Sequence, residues 1–150
     1  MKTVRLLLIT LSIGLLLSAM GCSKGGGSST PDPQNTVEAW IPIGRSIAFG
    51  GRYLVMTDQK VFRASEINQM EFTVGLPVKG LSSINSIPKS GYAWWSEVKP
   101  GCGYVIHLTA DSYYGFLDSW ARLYVVDFTY NEAHSVTGVN VKYELGWWPD

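Results

Sequence analysis

Strict alternation of apolar and polar residues over 139–145 constrains this 150-residue chain more than any other feature. Val139, Val141, Tyr143 and Leu145 fall on one side, and Asn140, Lys142 and Glu144 on the other. A period of two belongs to an extended strand with one buried and one wet face; a helix does not gather such residues into one stripe. The pattern recurs upstream. Tyr104, Ile106 and Leu108 oppose Val105 and His107, while Arg122, Tyr124, Val126 and Phe128 oppose Leu123, Val125 and Asp127. Tyr53–Thr57 and Lys60–Ala64 flank Asp58-Gln59 and read as a hairpin. Val37–Ile43 is an apolar run closed by Gly44, and Phe72–Leu76 ends at Pro77. Only Glu66–Phe72 offers a short helical turn. Strands at this spacing, without the long crossovers that parallel pairing demands, predict an all-β domain: a single small antiparallel sandwich or barrel.

The material for a core is plentiful. Six Trp, eight Tyr and five Phe all lie after residue 39. Large aromatics with few charges suit short, half-buried strands better than surface helices.

Residues 1–36 lack this patterning. Lys2 and Arg5 precede a nearly continuous apolar run, Leu6–Leu17. It is about a dozen residues long, too short to span the roughly 30 Å hydrocarbon core. Ser18-Ala19-Met20-Gly21-Cys22 then supplies small residues at a cleavage point. The segment resembles the signal peptide and lipobox of bacterial lipoproteins, with Ala19 where Leu is usual. That resemblance implies removal of residues 1–21, a diacylglycerol on Cys22 and membrane attachment through the N-terminal lipid. Ser23, rather than Asp, after the cysteine is compatible with delivery to the outer membrane. Lys24 and three glycines stand where surface-exported lipoproteins carry acids, so periplasm-facing and surface-displayed orientations both stay open. Residues 22–36 are expected to be the lipidated cysteine and a disordered linker, since the Gly, Ser and Pro of 24–33 cannot bury apolar surface. Residues 37–150 are the expected folded domain.

Charge excludes one class. Without Lys2 and Arg5 the twelve basic residues become ten against twelve acidic, a net charge of minus two, scattered along the chain. Nucleic acid is therefore not an expected partner, because binding it requires clustered Lys and Arg. With one of two cysteines committed to lipid, no disulfide framework is expected.

Over Val74–Trp148 several motifs occur in order: Gly80-Leu81, Ile84, Ile87-Pro88, Gly91-Tyr92-Ala93, Lys99-Pro100-Gly101-Cys102-Gly103-Tyr104-Val105, Ala121–Val126 and Val141-Lys142-Tyr143. Together they resemble an uncharacterised module of lipoproteins from Gram-negative gut bacteria. Cys102 occupies the position where that module has His. The resemblance implies a single envelope module and carries over no catalytic residue.

Catalytic constellations are weak. Cys102 and His107 invite a thiol nucleophile, but their odd spacing along a strand puts them on opposite faces. Cys102, His107, Asp111 and His134 have metal-ligand chemistry without metal-site spacing, so neither a metal nor another cofactor is expected. Asp111, Asp118, Asp127, Glu97 and Glu132 could supply paired carboxylates, yet no spacing singles out a pair. No nucleophile elbow, phosphate loop or dinucleotide fingerprint is present. The chain is not expected to be an enzyme, a small hydrolase being the weakest alternative.

The aromatics are the better lead. Trp94-Trp95 and Trp147-Trp148 are adjacent pairs, and neighbours on a strand face opposite ways, so each pair should expose at least one indole. Tyr113, Tyr114 and Trp120 surround Asp111 and Asp118. Flat rings beside polar groups suit the C–H faces of a sugar or a protein ligand. The expected function is a non-catalytic, outer-membrane-anchored binding module whose partner is a glycan or an envelope protein. The alternative is a structural envelope component that assembles through a sheet edge or the Trp147-Trp148 tail.

Overall fold

The structure is a computed structural model, and it describes residues 31–66 and 68–149. The expected signal peptide, Cys22 and most of the linker lie outside the described residues. Eleven strands follow in order: β1 (Val37–Pro42), β2 (Ser46–Phe49), β3 (Arg52–Met56), β4 (Val61–Ala64), β5 (Met70–Thr73), β6 (Leu76–Pro77), β7 (Tyr92–Ala93), β8 (Trp95–Glu97), β9 (Cys102–Leu108), β10 (Ser119–Tyr130) and β11 (Val136–Leu145). A 3-10 turn, Leu81–Ser83, stands between β6 and β7. Among the described residues there is no α-helix.

The strands form two antiparallel sheets packed face to face. The larger runs β1-β11-β10-β9-β5-β7, with β6 also beside β9, and the smaller runs β2-β3-β4-β8. The domain is thus a sandwich and not a closed barrel. Its core lies between the sheets and uses the inward half of each alternating strand. Phe49, Leu54, Met56 and Phe62 from the smaller sheet meet Phe72, Tyr104, Ile106, Leu123, Val125 and Val141 from the larger. A second apolar cluster covers the outer face of the larger sheet. There Leu81 and Ile84 of the 3-10 segment and Trp147 of the tail lie over Val105 and Tyr124.

The Pro-Gly-Cys-Gly-Tyr motif has a physical explanation at this junction. Gly101 has φ +74, a left-handed conformation suited to glycine. A Cβ on Gly103 would sit 2.6 Å from Ile84 Cδ1, so only glycine lets the 3-10 segment lie this close. Tyr104, fully buried, turns its hydroxyl to the preceding loop, donating to Glu97 O (2.7 Å) and accepting from Lys99 N–H (2.8 Å).

Several expectations need adjustment. The hairpin of β3 and β4 has a three-residue loop, since Thr57 N–H donates to Val61 O and Lys60 N–H to Thr57 O, with Lys60 at φ +58. Phe128 does not share the face of Arg122, Tyr124 and Val126. A register shift between Val125 and Asp127 turns it toward the main core, against which it packs half-buried. Met70–Phe72, the second half of the expected helical turn at Glu66–Phe72, belong instead to β5, whose pairing with β9 outweighs local preference. The linker's end is ordered: Asp32 pairs with Lys142 at 2.7 Å, and Pro33 O accepts Thr36 N–H. Cys102 is fully buried in the core between the sheets.

Tyr104→Phe keeps the ring and strands two backbone groups. It is expected to lower unfolding free energy by about 1–3 kcal/mol in a urea titration; an unchanged midpoint would show that water replaces the hydroxyl.

Candidate functional site

Strand register builds one polar row on the outer face of the larger sheet. Glu71 of β5 pairs with His107 of β9, which pairs with Trp120 of β10. Because all three sit at matched positions, their side chains emerge side by side. Asp118 lies just before β10 and completes the group. His107 Nδ1 is 3.1 Å from Glu71 Oε2, and its Nε2 is 2.9 Å from Asp118 Oδ2. The Trp120 indole stacks on the imidazole at 4.4 Å, and Tyr92 leans on Trp120 at 5.6 Å.

An imidazole between two carboxylates is best satisfied with both ring nitrogens protonated. Burial opposes that charge, but the hydrogen bonds to Asp118 and Glu71 outweigh it, and the His107 pKa rises above its ordinary value. Asp118 moves the opposite way, held below the usual carboxylate range chiefly by His107, with Ala110 N–H assisting. Both ring nitrogens are occupied by carboxylates, so His107 is a clasp and not a base resting on a nucleophile. Cys102 lies in the core on the other side of the sheet, as the odd spacing predicts.

The clasp fixes the base of the 109–118 loop at Asp118, and Arg52 bridges the same base through Thr109 and Leu117. This buried guanidinium, on β3 of the smaller sheet, donates to the carbonyls of Gly50 (2.9 Å), Thr109 and Leu117 (3.3 Å). The Phe116 ring covers it at 4.9 Å. Within the loop Asp111 Oδ1 accepts the N–H groups of Tyr113 and Tyr114, and Asp111 and Phe116 exchange backbone hydrogen bonds. The tip therefore presents Tyr113 (87% exposed) and Tyr114 (56%) from a braced base, their rings edge to face at 4.9 Å. Beside them an open groove of about 200 Å³ is lined by Tyr53, Glu66, Gln69, Tyr114 and Phe116.

The other sequence-predicted aromatics are dispersed. Trp94 and Trp95 are both exposed, because they stand where the chain passes from β7 of one sheet to β8 of the other. Trp147 is buried under the Arg122 guanidinium at 5.1 Å, while Trp148 is exposed. Trp120 is half-buried in the clasp. The carboxylates have structural partners: Glu97 pairs with Lys99, Asp127 accepts from Asn140, and Asp111 and Asp118 hold the loop. Among the described residues no cluster of three or more His, Cys, Asp or Glu is arranged to hold a metal. Sequence reasoning missed Glu71, whose role depends on pairing with a strand 36 residues away. It also passed over Tyr53, although alternation with buried Leu54 already places that ring outside.

The clasp predicts a pH profile. A histidine whose folded pKa is raised adds stability below its unfolded value, about 6.5, and loses it as pH rises through the folded one. Asp118, depressed, adds stability above about 3.8 and loses it in acid. The urea midpoint should peak between these values and decline toward alkaline pH, and His107→Gln should remove the decline. A wild-type profile that is flat across neutrality would rule the clasp out as a source of stability.

Comparison with protein-family models, curated proteins and solved structures finds no match to this chain.

Proposed function

We propose that this chain is a lipid-anchored, non-catalytic binding module of the Gram-negative outer membrane that uses exposed aromatic rings to hold a glycan. The observation that carries this reading is the braced 109–118 loop, which keeps Tyr113 and Tyr114 in solvent. Exposed rings on a floppy loop would lose entropy on binding; rings on a fixed base lose little. Tyr114 also shares its groove with Tyr53, Glu66 and Gln69. A stacking surface flanked by hydrogen-bonding groups matches a sugar, which offers C–H faces and hydroxyl rims together. The dispersion of the rings supports this over a protein partner, whose anchors usually cluster in one desolvated patch.

The lipoprotein part of the reading is supported by the motif at Ser18–Cys22. Intact mass of protein extracted from membranes tests it. Added acyl chains are expected, with Cys22→Ala moving the protein to the soluble fraction; an unacylated mass would remove the anchor from the proposal.

Binding is tested with the full-length protein in detergent on an array of oligosaccharides. Tyr113→Ala/Tyr114→Ala, with folding verified, should weaken capture at least tenfold. Capture of no sugar, combined with stoichiometric recovery of an envelope protein, would replace the glycan with a protein ligand.

A further inference from the structure

The outer face of the smaller sheet is a surface that the candidate site meets only at Tyr53, and its layout is set by register. Ser46 pairs with Val55, Val55 with Arg63, and Arg63 with Trp95, so one row crosses β2, β3, β4 and β8. Leu54, Met56, Phe62 and Ala64 point into the core, which places Tyr53, Val55, Arg63 and Trp95 on the opposite face. Tyr53 is 54% exposed and Trp95 59%, and Arg63 is exposed between them.

Arg63 differs from four other cations of the described residues. Lys99 pairs with Glu97, Arg122 with Glu144, Lys142 with Asp32 and Glu38, and Arg52 with backbone carbonyls. Among the described residues the Arg63 guanidinium has no ion-pair or hydrogen-bond partner. With Trp95 it lines an open groove of about 460 Å³ whose other walls are Thr57, Asp58, Gln59 and Val61. The Asp58 carboxylate is already engaged, accepting the Gln59 N–H at 3.0 Å. Tyr53, on the other side of Arg63, lines the groove shared with Tyr114. Two strand spacings and two residues along the strand separate the backbone positions of Tyr53 and Trp95, about 12 Å. Residues whose backbones stand that far apart on one face can seat successive units of a chain.

We propose that this face binds an oligosaccharide bearing carboxylates, laid along Tyr114, Tyr53, Arg63 and Trp95. The aromatic rings take the C–H faces of successive sugars, and the Arg63 guanidinium takes a uronate carboxylate through paired N–H donors. Arginine suits this role because its planar fork matches a carboxylate and stays charged at every physiological pH. The inference rests on the glycan reading above and adds a ligand class and a path.

The test uses full-length protein in detergent on an array of oligogalacturonates, glucuronoxylan fragments and hyaluronan fragments beside neutral xylo- and cello-oligosaccharides. Hits are then titrated with Trp95→Ala, Arg63→Gln and Arg63→Lys, each checked for wild-type circular dichroism. Uronate-bearing sugars should be captured, with at least tenfold loss in Trp95→Ala and Arg63→Gln, a smaller loss in Arg63→Lys, and weakening as salt rises. Capture of neutral sugars alone, or uronate binding that survives Arg63→Gln, overturns this inference and leaves the wider glycan reading standing. No capture of any sugar by the folded protein overturns both.

Discussion

The buried guanidinium of Arg52 is the interaction on which the arrangement of this sandwich turns. It belongs to the smaller sheet, yet two of its three carbonyl acceptors, Thr109 and Leu117, belong to the connection between β9 and β10 of the larger. Burying a cation is costly unless its donors are satisfied. Its pKa is lowered by that burial, with the carboxylates of Asp118 and Asp111 acting in the opposite direction. The Phe116 face adds a cation–π contact of about 0.5–2 kcal/mol. The Nε–H finds no acceptor among the described residues, so the site is not fully satisfied. What it achieves is position: the loop between two strands of one sheet is fastened to the other sheet.

That fastening and the His107 clasp act on the same segment from opposite sides. Arg52 takes the carbonyls at the base of the loop, and His107 takes the side chain of Asp118, whose second role is to accept Ala110 N–H. A loop held at both ends and cross-bonded at Asp111 has little freedom left except at its tip. The tip is where the tyrosines are. Rigidity of the base and exposure of the tip are therefore one design, and neither aromatic ring contributes much to the core that supports it.

The sequence made the strands legible because alternation is a local property. The period over 139–145 and 104–108 correctly separates Val141 and Ile106 from Lys142 and His107, and it sends Cys102 to the core away from His107. What local pattern could not convey is register across distant strands. Glu71, His107 and Trp120 become neighbours only through the pairing of β5, β9 and β10, and Arg63 meets Trp95 only through β4 and β8. The same limit explains Phe128, where one extra residue in β10 reverses the face, and Glu66–Phe72, where partner strands decide the conformation. Trp94-Trp95 and Trp147-Trp148 look alike in sequence. Their environments differ because one pair lies at a change of sheet while the other lies on the tail beside Trp120, whose carbonyl accepts the Trp147 N–H.

The ends of the two sheets carry a consequence for how such domains coexist at high concentration. β7 is two residues long and β8 three, so at those margins there is little unpaired backbone to offer a neighbour. β1, at the other margin of the larger sheet, ends at Pro42, which has no N–H to donate. Charged Glu38 and the docked Asp32 sit at its beginning, gathered around Lys142. Margins that are short, charged or proline-terminated resist strand-to-strand addition. Three of the four margins thus resist zipping copies into a common sheet, and β2, four residues long, is the margin left for such a contact.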